Sequence, residues 1–280
     1  MYRFDTPSPL QLVVSNHAGR VSVEAADVAE STVELTPLDA DAEQAIAEAV
    51  VEHRHDHLVV HLPRGRSGLF RNRAAKVAVD IRVPTGSSMR AKLHSADVTT
   101  RGALDDVHIE LGSGDAVIDT VTGSARVESG SGDFQLQRCD GDLNATLGSG
   151  DVNVETVRGR VQTRAGSGDV TIGNACGVVT AGSGSGDIVV RTSEAGVSAR
   201  TGSGDVRIGE AQAGEVRAGT ASGDVDVAVA SGTAVWLDLN TISGDVRNAL
   251  DAIAGPEDSD RQLKLQVKTA SGDISVARAS

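Results

Sequence analysis

The chain has 280 residues, 39 acidic against 26 basic side chains and a net charge of −13, with only one Trp, one Tyr and three Phe. That acidity disfavours a nucleic-acid phosphate partner. Two cysteines cannot staple a chain of this size, and the 32 glycines fall in no collagen period.

Met1-Tyr2-Arg3-Phe4-Asp5-Thr6-Pro7 lacks the charged and apolar regions of a signal peptide. No run approaches the roughly 18 apolar residues of a membrane span. The expectation is a cytoplasmic protein. Residues 1–94 read as a β-rich lead-in with one helix. Leu10–Val14 is a strand, Asn16–Gly19 a turn, Arg20–Glu24 a strand pairing back, and Thr32–Leu35 a third strand. Asp39–Val50, rich in Ala, Glu and Gln, is the one helical stretch, with Asp39 or Asp41 as cap. Val50–His53 and Leu58–Leu62 form a hairpin around Arg54–His57, and Lys76–Val83 alternates as a strand up to Pro84.

Two features of the lead-in could be read as sites. His53, His55, His57 and His61 have ligand chemistry for zinc or nickel, but His55 and His57 flank a turn, so convergence is not expected. Arg64, Arg66, Arg71, Arg73 and Lys76 make a basic loop in an acidic protein. It is either a solvated loop or a docking loop for an anionic surface or the acidic body of another copy.

From residue 95 the chain is governed by Ser-Gly-Asp followed by a β-former. The motif stands at Ser113-Gly114-Asp115 and returns with Gly132-Asp133, Gly150-Asp151, Gly168-Asp169, Gly186-Asp187 and Gly204-Asp205, then with Asp224, Asp245 and Asp273. Ser95-Ala96-Asp97 is a degenerate first copy. From Asp97 to Asp205 the interval is 18 residues; it then widens to 19, 21 and 28. A fixed period marks a repeat architecture in which each unit buries its apolar face on its neighbours. In Ser149–Gly166, Val152 and Val154 alternate with polar residues, and Val161, Thr163 and Ala165 do so again. Each unit therefore holds two short strands and two glycine-bearing turns, too little to fold alone. Stacked, the units give an all-β, single-stranded β-solenoid with about 18 residues per coil and a thin aliphatic core. Regular coils are expected over 95–221, and irregular coils with a terminal cap over 222–280.

The repeated glycines (114, 132, 150, 168, 186, 204) suit turns needing positive φ, and the aspartates suit local turns in which the carboxylate accepts backbone N–H groups. Stacking would place equivalent aspartates roughly 4.8 Å apart, where like charges repel by about 0.9 kcal/mol in water. Asp115, Asp133, Asp151, Asp169, Asp187 and Asp205 are therefore also candidate calcium ligands. Calcium β-rolls, however, carry Gly-Gly-x-Gly-x-Asp at every half-turn. Here the acid comes once per coil, and the opposite turns (Thr122-Gly123, Asp140-Gly141, Arg158-Gly159, Cys176-Gly177) repeat no acid. Catalysis needs one asymmetric constellation, not a residue recurring in the same setting. Cys139 and Cys176, 37 residues apart, are expected to be small core residues about two coils, roughly 9–10 Å, from each other, beyond disulfide reach.

Ala234–Asn240 is a heavier strand with the single Trp, Trp236. Leu250–Arg261 is an insertion, and Leu263–Val267 with Ile274–Val276 closes the sheet as a terminal cap. No phosphate loop, dinucleotide fingerprint, GxSxG elbow, HExxH or CxxC pair occurs.

The Ser-Gly-Asp turns, the ending Ala234–Leu239 followed by Ser243–Asn248, and the opening Phe4-Asp5-Thr6-Pro7 resemble a bacterial β-strand-repeat family of unknown function. It is labelled "putative adhesin", also called toastrack, and the resemblance is to its actinobacterial form. It covers nearly the whole chain and implies a right-handed β-helix without catalytic residues or cofactor; Ala96 departs from the motif. The reading is a non-enzymatic scaffold with a protein or cell-envelope partner, no nucleic acid and no membrane span. Self-assembly into a filament or adhesin-like oligomer and a calcium-stiffened β-roll are the alternatives.

Overall fold

The computed structural model describes residues 1–63, 74–250 and 261–279. It is an all-β solenoid, 71% strand and 2% helix, as the 18-residue period requires. Two compact units, 1–140 and 141–280, divide the chain.

Unit 1 contains β1 (Tyr2–Asp5), β2 (Gln11–Ala26), β3 (Glu30–Pro37), α1 (Ala42–Ala47), β4 (Val50–Arg54), β5 (His57–His61), β6 (Val77–Pro84), β7 (Ser88–Arg101), β8 (Ala103–Leu104), β9 (Val107–Ser113), β10 (Ala116–Val121), β11 (Ala125–Ser131) and β12 (Phe134–Cys139). The expected reversal at Asn16–Gly19 is absent, because β2 runs unbroken for 16 residues. Asn16 is buried and its Nδ2 donates to the Val77 carbonyl at 3.2 Å, so its amide serves a neighbouring rung instead of a turn. Gly19, at φ +115°, bends the strand around a corner where a Cβ would lie 2.1 Å from the Val77 carbonyl.

The first half of β2 lies parallel to β5 and the second half parallel to β6, while β7 runs parallel along its other side. β2 is thus a rung in its own right, inserted between β5–β6 and β7. Its Gly19 and Arg20 stand in register with Ala96 and Asp97. The outer rung β5–β6 is covered by antiparallel strands: β4 on β5, and β3 on β6 with β1 beyond it. The β4–β5 hairpin is as expected, whereas α1 has six residues and no side-chain cap. Asp39 instead accepts the backbone N–H groups of Asp41 and Lys76, at 3.2 and 3.0 Å. Beyond β7 the rungs repeat in parallel, with Ala116 opposite Phe134 and Ala125 opposite Val107.

Unit 2 contains β13 (Leu143–Ser149), β14 (Val152–Val157), β15 (Val161–Ser167), β16 (Val170–Ala175), β17 (Val179–Ser185), β18 (Ile188–Ser193), β19 (Val197–Ser203), β20 (Val206–Ala211), β21 (Gly214–Ser222), β22 (Val225–Val229), β23 (Thr233–Ser243), β24 (Val246–Asn248), β25 (Arg261–Ser271) and β26 (Ile274–Arg278). From β13 to β18 each strand pairs in parallel with its equivalent 18 residues on, as Val152 with Val170 and Val161 with Val179. The inward rows are aliphatic, with Val152, Val154, Val170, Ile172, Ile188 and Val190 at most 1% exposed. Each contributes about 1.5–2 kcal/mol by burial.

The last strands do not form the terminal rung that the sequence order suggests. β25 pairs with β21 on one side and β23 on the other, and β26 likewise lies between β22 and β24. Among the described residues, the Trp-bearing rung β23–β24 is therefore outermost at this end of the unit. Twelve residues separate β24 from β25 against three between β22 and β23, which is length enough to step past a rung.

Cys139 is buried, as expected, but Cys176 is exposed. Two coils are 36 residues, so the coil equivalent of Cys139 is Ala175, the buried last residue of β16, and Cys176 falls one residue later, in the turn beyond the strand. No described helix is long and apolar enough to cross a membrane.

Candidate functional site: the acid-bearing corner

Every Ser-Gly-Asp corner joins two strands at a positive-φ glycine. Gly168, at φ +131°, packs so closely on the preceding rung that a Cβ would lie 2.1 Å from the Gly150 carbonyl. Conformation and space both demand glycine there.

The aspartate then bonds across rungs, not within its own turn as the sequence suggested. In unit 1 the Asp115 N–H donates to Asp97 Oδ1 at 3.1 Å, and the Asp133 N–H to Asp115 Oδ1 at 2.9 Å. In unit 2 the same bond runs from Asp169 to Asp151 (2.9 Å), Asp187 to Asp169 (2.8 Å), Asp205 to Asp187 (2.8 Å) and Asp224 to Asp205 (2.8 Å). It continues from Asp273 to Asp224 (2.7 Å) and from Asp245 to Asp273 (2.9 Å), so the spatial order follows the inserted rung. Each accepting carboxylate thereby satisfies the backbone N–H of the equivalent aspartate at the corner of the neighbouring rung. At the opposite corner Asp106 accepts from Ser124 and Asp142 from Arg160 in the same way, both at 2.8 Å.

A row of hydroxyls beneath the corner went unread in the sequence. Ser183, Thr201, Thr220, Thr269 and Thr241 each donate to the carbonyl of the motif glycine on a neighbouring rung, at 2.9–3.1 Å. The signal was visible: from residue 183 onward a Ser or Thr stands two places before every Ser-Gly-Asp.

The other candidates are not assembled. His53 faces Leu58 across the hairpin, His57 faces Arg54, His61 faces Val50, and His55 sits in the turn at φ +56°. No group of three or more His, Cys, Asp or Glu among the described residues could hold a metal ion, the corner aspartates included. Arg64, Arg66, Arg71 and Arg73 lie outside the described residues; Lys76 is exposed beside Asp39. An open concavity of about 380 Å³ in unit 1 is lined by Ser22, Glu24, Glu34, Asp80, Arg82 and Arg101 among others, with no His or Cys. Arg82 lies 3.6 Å from Glu24 there, an exposed pair worth at most about 1 kcal/mol.

The outer faces carry polar rows in strict register. On one face of unit 2, Arg164, Gly182, Arg200, Gly219 and Lys268 stand side by side, a cation on every second rung of this row. On the other face Arg191 reaches Glu155 at 3.3 Å over Gly173, which occupies the rung between. In unit 1 Lys92 sits 3.0 Å from Glu110 and, chiefly through that hydrogen bond, holds its carboxyl below the ordinary carboxylate value.

No curated protein matches the chain. Solved structures of similar fold include a "putative adhesin" of Bacteroides fragilis at 12% identity and TM-score 0.44, and one of Parabacteroides distasonis at 11% and 0.47; both comparisons cover 98% of this chain and 95% of the other. A "putative lipid binding protein" of Parabacteroides distasonis is 12% identical, with TM-score 0.46 and coverage of 100% and 96%. In sequence, the Toastrack DUF4097 family matches residues 11–179 and again residues 158–279. Between them these matches take in all the Ser-Gly-Asp corners of both units, and the chain belongs to the Toastrack DUF4097 family.

Proposed function

We propose that the protein is a non-enzymatic binding scaffold whose outer sheet faces engage a protein or cell-envelope partner. The observation that carries this reading is the use made of the corner carboxylates. The most repeated reactive group in the chain is committed to accepting backbone N–H groups from the next rung, a structural role. The faces, by contrast, offer solvent-facing polar side chains at fixed intervals, among them Asn153, Glu155, Gln162, Arg164 and Arg191. Cations on alternate rungs of the Arg164 row recur about every 9–10 Å along the stack, a ruler that suits a partner with its own regular spacing.

A photo-cross-linking residue placed at Asn153 or Arg164 in host cells tests this. The reading predicts a discrete adduct from the face positions and none from Ser167 at the corner. No adduct from either face, or equal adducts from the corner, contradicts it.

A further inference from the structure

Among the described residues, the outermost rung of unit 2 leaves the apolar core open. In β25 and β26 the inward residues Leu265, Val267 and Ile274 are 0% exposed. Their register partners on β23 and β24 are Leu237, Leu239 and Val246. Leu237 is 38% exposed, Val246 46%, and Leu239 half-buried. Residue type and position match; the difference is that a further rung covers the first set and, among the described residues, none covers the second. Alongside them Trp236 is 59% and Ile242 84% exposed. Among the described residues β23 pairs with β25 alone, so its other edge presents a row of backbone N–H and C=O groups. That edge has one charge, Asp238, and neither the lysine nor the proline that commonly keeps a free edge from pairing.

We propose that two copies of this chain associate through their β23–β24 rungs as a closed two-fold dimer. Elsewhere in unit 2 an inward row is covered by another two-strand rung of matching width, and the β23–β24 rung of a second copy is such a rung. Charge allows the approach: residues 233–248 carry two acids, Asp238 and Asp245, and one base, Arg247, a net −1 within a chain of −13. Arg247 also lies 3.4 Å from Asp273 and 3.7 Å from Asp245, which tempers the acid row where it ends. Area suffices as well. Eleven residues at about 3.3 Å, on sheets about 10 Å apart with side chains outside them, give an end of roughly 700 Å² per partner, close to the ~800 Å² of a standard interface. A contact in which both copies use the same face closes at two. In unit 1 the outer rung is already covered by β3 and β4, so it offers no equivalent face. The proposal stands whether or not the outer faces bind a partner.

Sedimentation velocity of the full chain from about 1 to 200 μM tests it, because a homodimer follows mass action. The expected result is a monomer–dimer equilibrium, with emission of the sole Trp moving to the blue as dimer accumulates. Ile242→Asp places a charge where the monomer is open to water, and it should weaken association at least about ten-fold without lowering the monomer's melting temperature. Leu237→Asp should weaken association too. A monomer at every concentration would overturn the proposal, since the face would then be covered from within the chain or unused. Species growing beyond the dimer would overturn the two-fold geometry. A dimer indifferent to both variants would place the interface elsewhere and overturn it as well.

Discussion

In unit 1 the first long strand, β2, lies between the β5–β6 rung and β7; in unit 2 the last strands, β25 and β26, lie between β21–β22 and β23–β24. Both units thus set a long strand one rung in from an outer rung. A strand at an edge is held on one side only; one rung in, it is held by ladders on both sides. The units then part ways. Unit 1 closes its outer rung with antiparallel β3 and β4, while unit 2 leaves β23–β24 without a described partner on its far side. Insertion gives a strand ladders on both sides, and covering the outer rung is a separate task that, among the described residues, unit 1 alone performs for itself.

Truncation should break this comparison most severely. Removing residues 261–280 takes away a rung from between two others, so β23–β24 loses the strands it pairs with. The melting midpoint should fall by more than about 10 °C, several kcal/mol for a domain this size. Removing residues 1–26 should do the same to unit 1. A midpoint within about 2 °C of the full chain, followed by circular dichroism, would show that the inserted rungs are dispensable.

Next come the corner glycines. Gly132→Ala in unit 1 and Gly168→Ala in unit 2 each put a Cβ 2.1 Å from a carbonyl of the rung below, at φ of +119° and +131°. Each should cost about 3 kcal/mol or more in urea unfolding, with similar values in the two units. A cost below about 1 kcal/mol in either would mean that the corner relaxes there.

The open and covered rungs of unit 2 can be separated by one pair of truncations. Leu265→Ala removes a side chain that is 0% exposed and should cost about 3 kcal/mol, whereas Leu237→Ala, 38% exposed at the matching position, should cost less than about 1 kcal/mol in dilute protein. Equal costs would indicate that β23 is covered in the monomer.

The smallest effect concerns Cys176. Although the residue is exposed, residual desolvation of its thiol, and then the charge and hydrogen bond of Glu194, raise its pKa above the ordinary value. At neutral pH it should alkylate more slowly than a model thiol, and Glu194→Gln should speed it by about two-fold. A rate that ignores Glu194 would remove that contact from the account.

Period and alternation carried most of the fold into view. An 18-residue interval with Val152 and Val154 facing in can hardly be packed other than as stacked coils. The rung order was not legible, because Leu263–Val267 looks the same in sequence whether it ends the stack or slots inside it. Only the register with both Val216 and Leu237 decides. The turn expected at Asn16–Gly19 failed for a related reason: Asn and Gly are turn formers, yet here Asn16 is buried in a bond to Val77 and Gly19 rounds a corner. At the site, the aspartates were found by spacing, but their partners lie 18 residues away. Local turn chemistry pointed to a bond within the corner, whereas the carboxylates span to the next one.

Amide hydrogen exchange at the corners tests that spanning bond most directly. The N–H of Asp205 sits at the surface and donates to Asp187 Oδ1 at 2.8 Å. The account predicts that it exchanges at least about 100-fold more slowly than an unstructured amide, that Asp187→Asn preserves most of this protection, and that Asp187→Ala abolishes it while leaving Val206 protected. Unprotected exchange of the Asp205 amide in the native protein, or protection that survives Asp187→Ala, would contradict it.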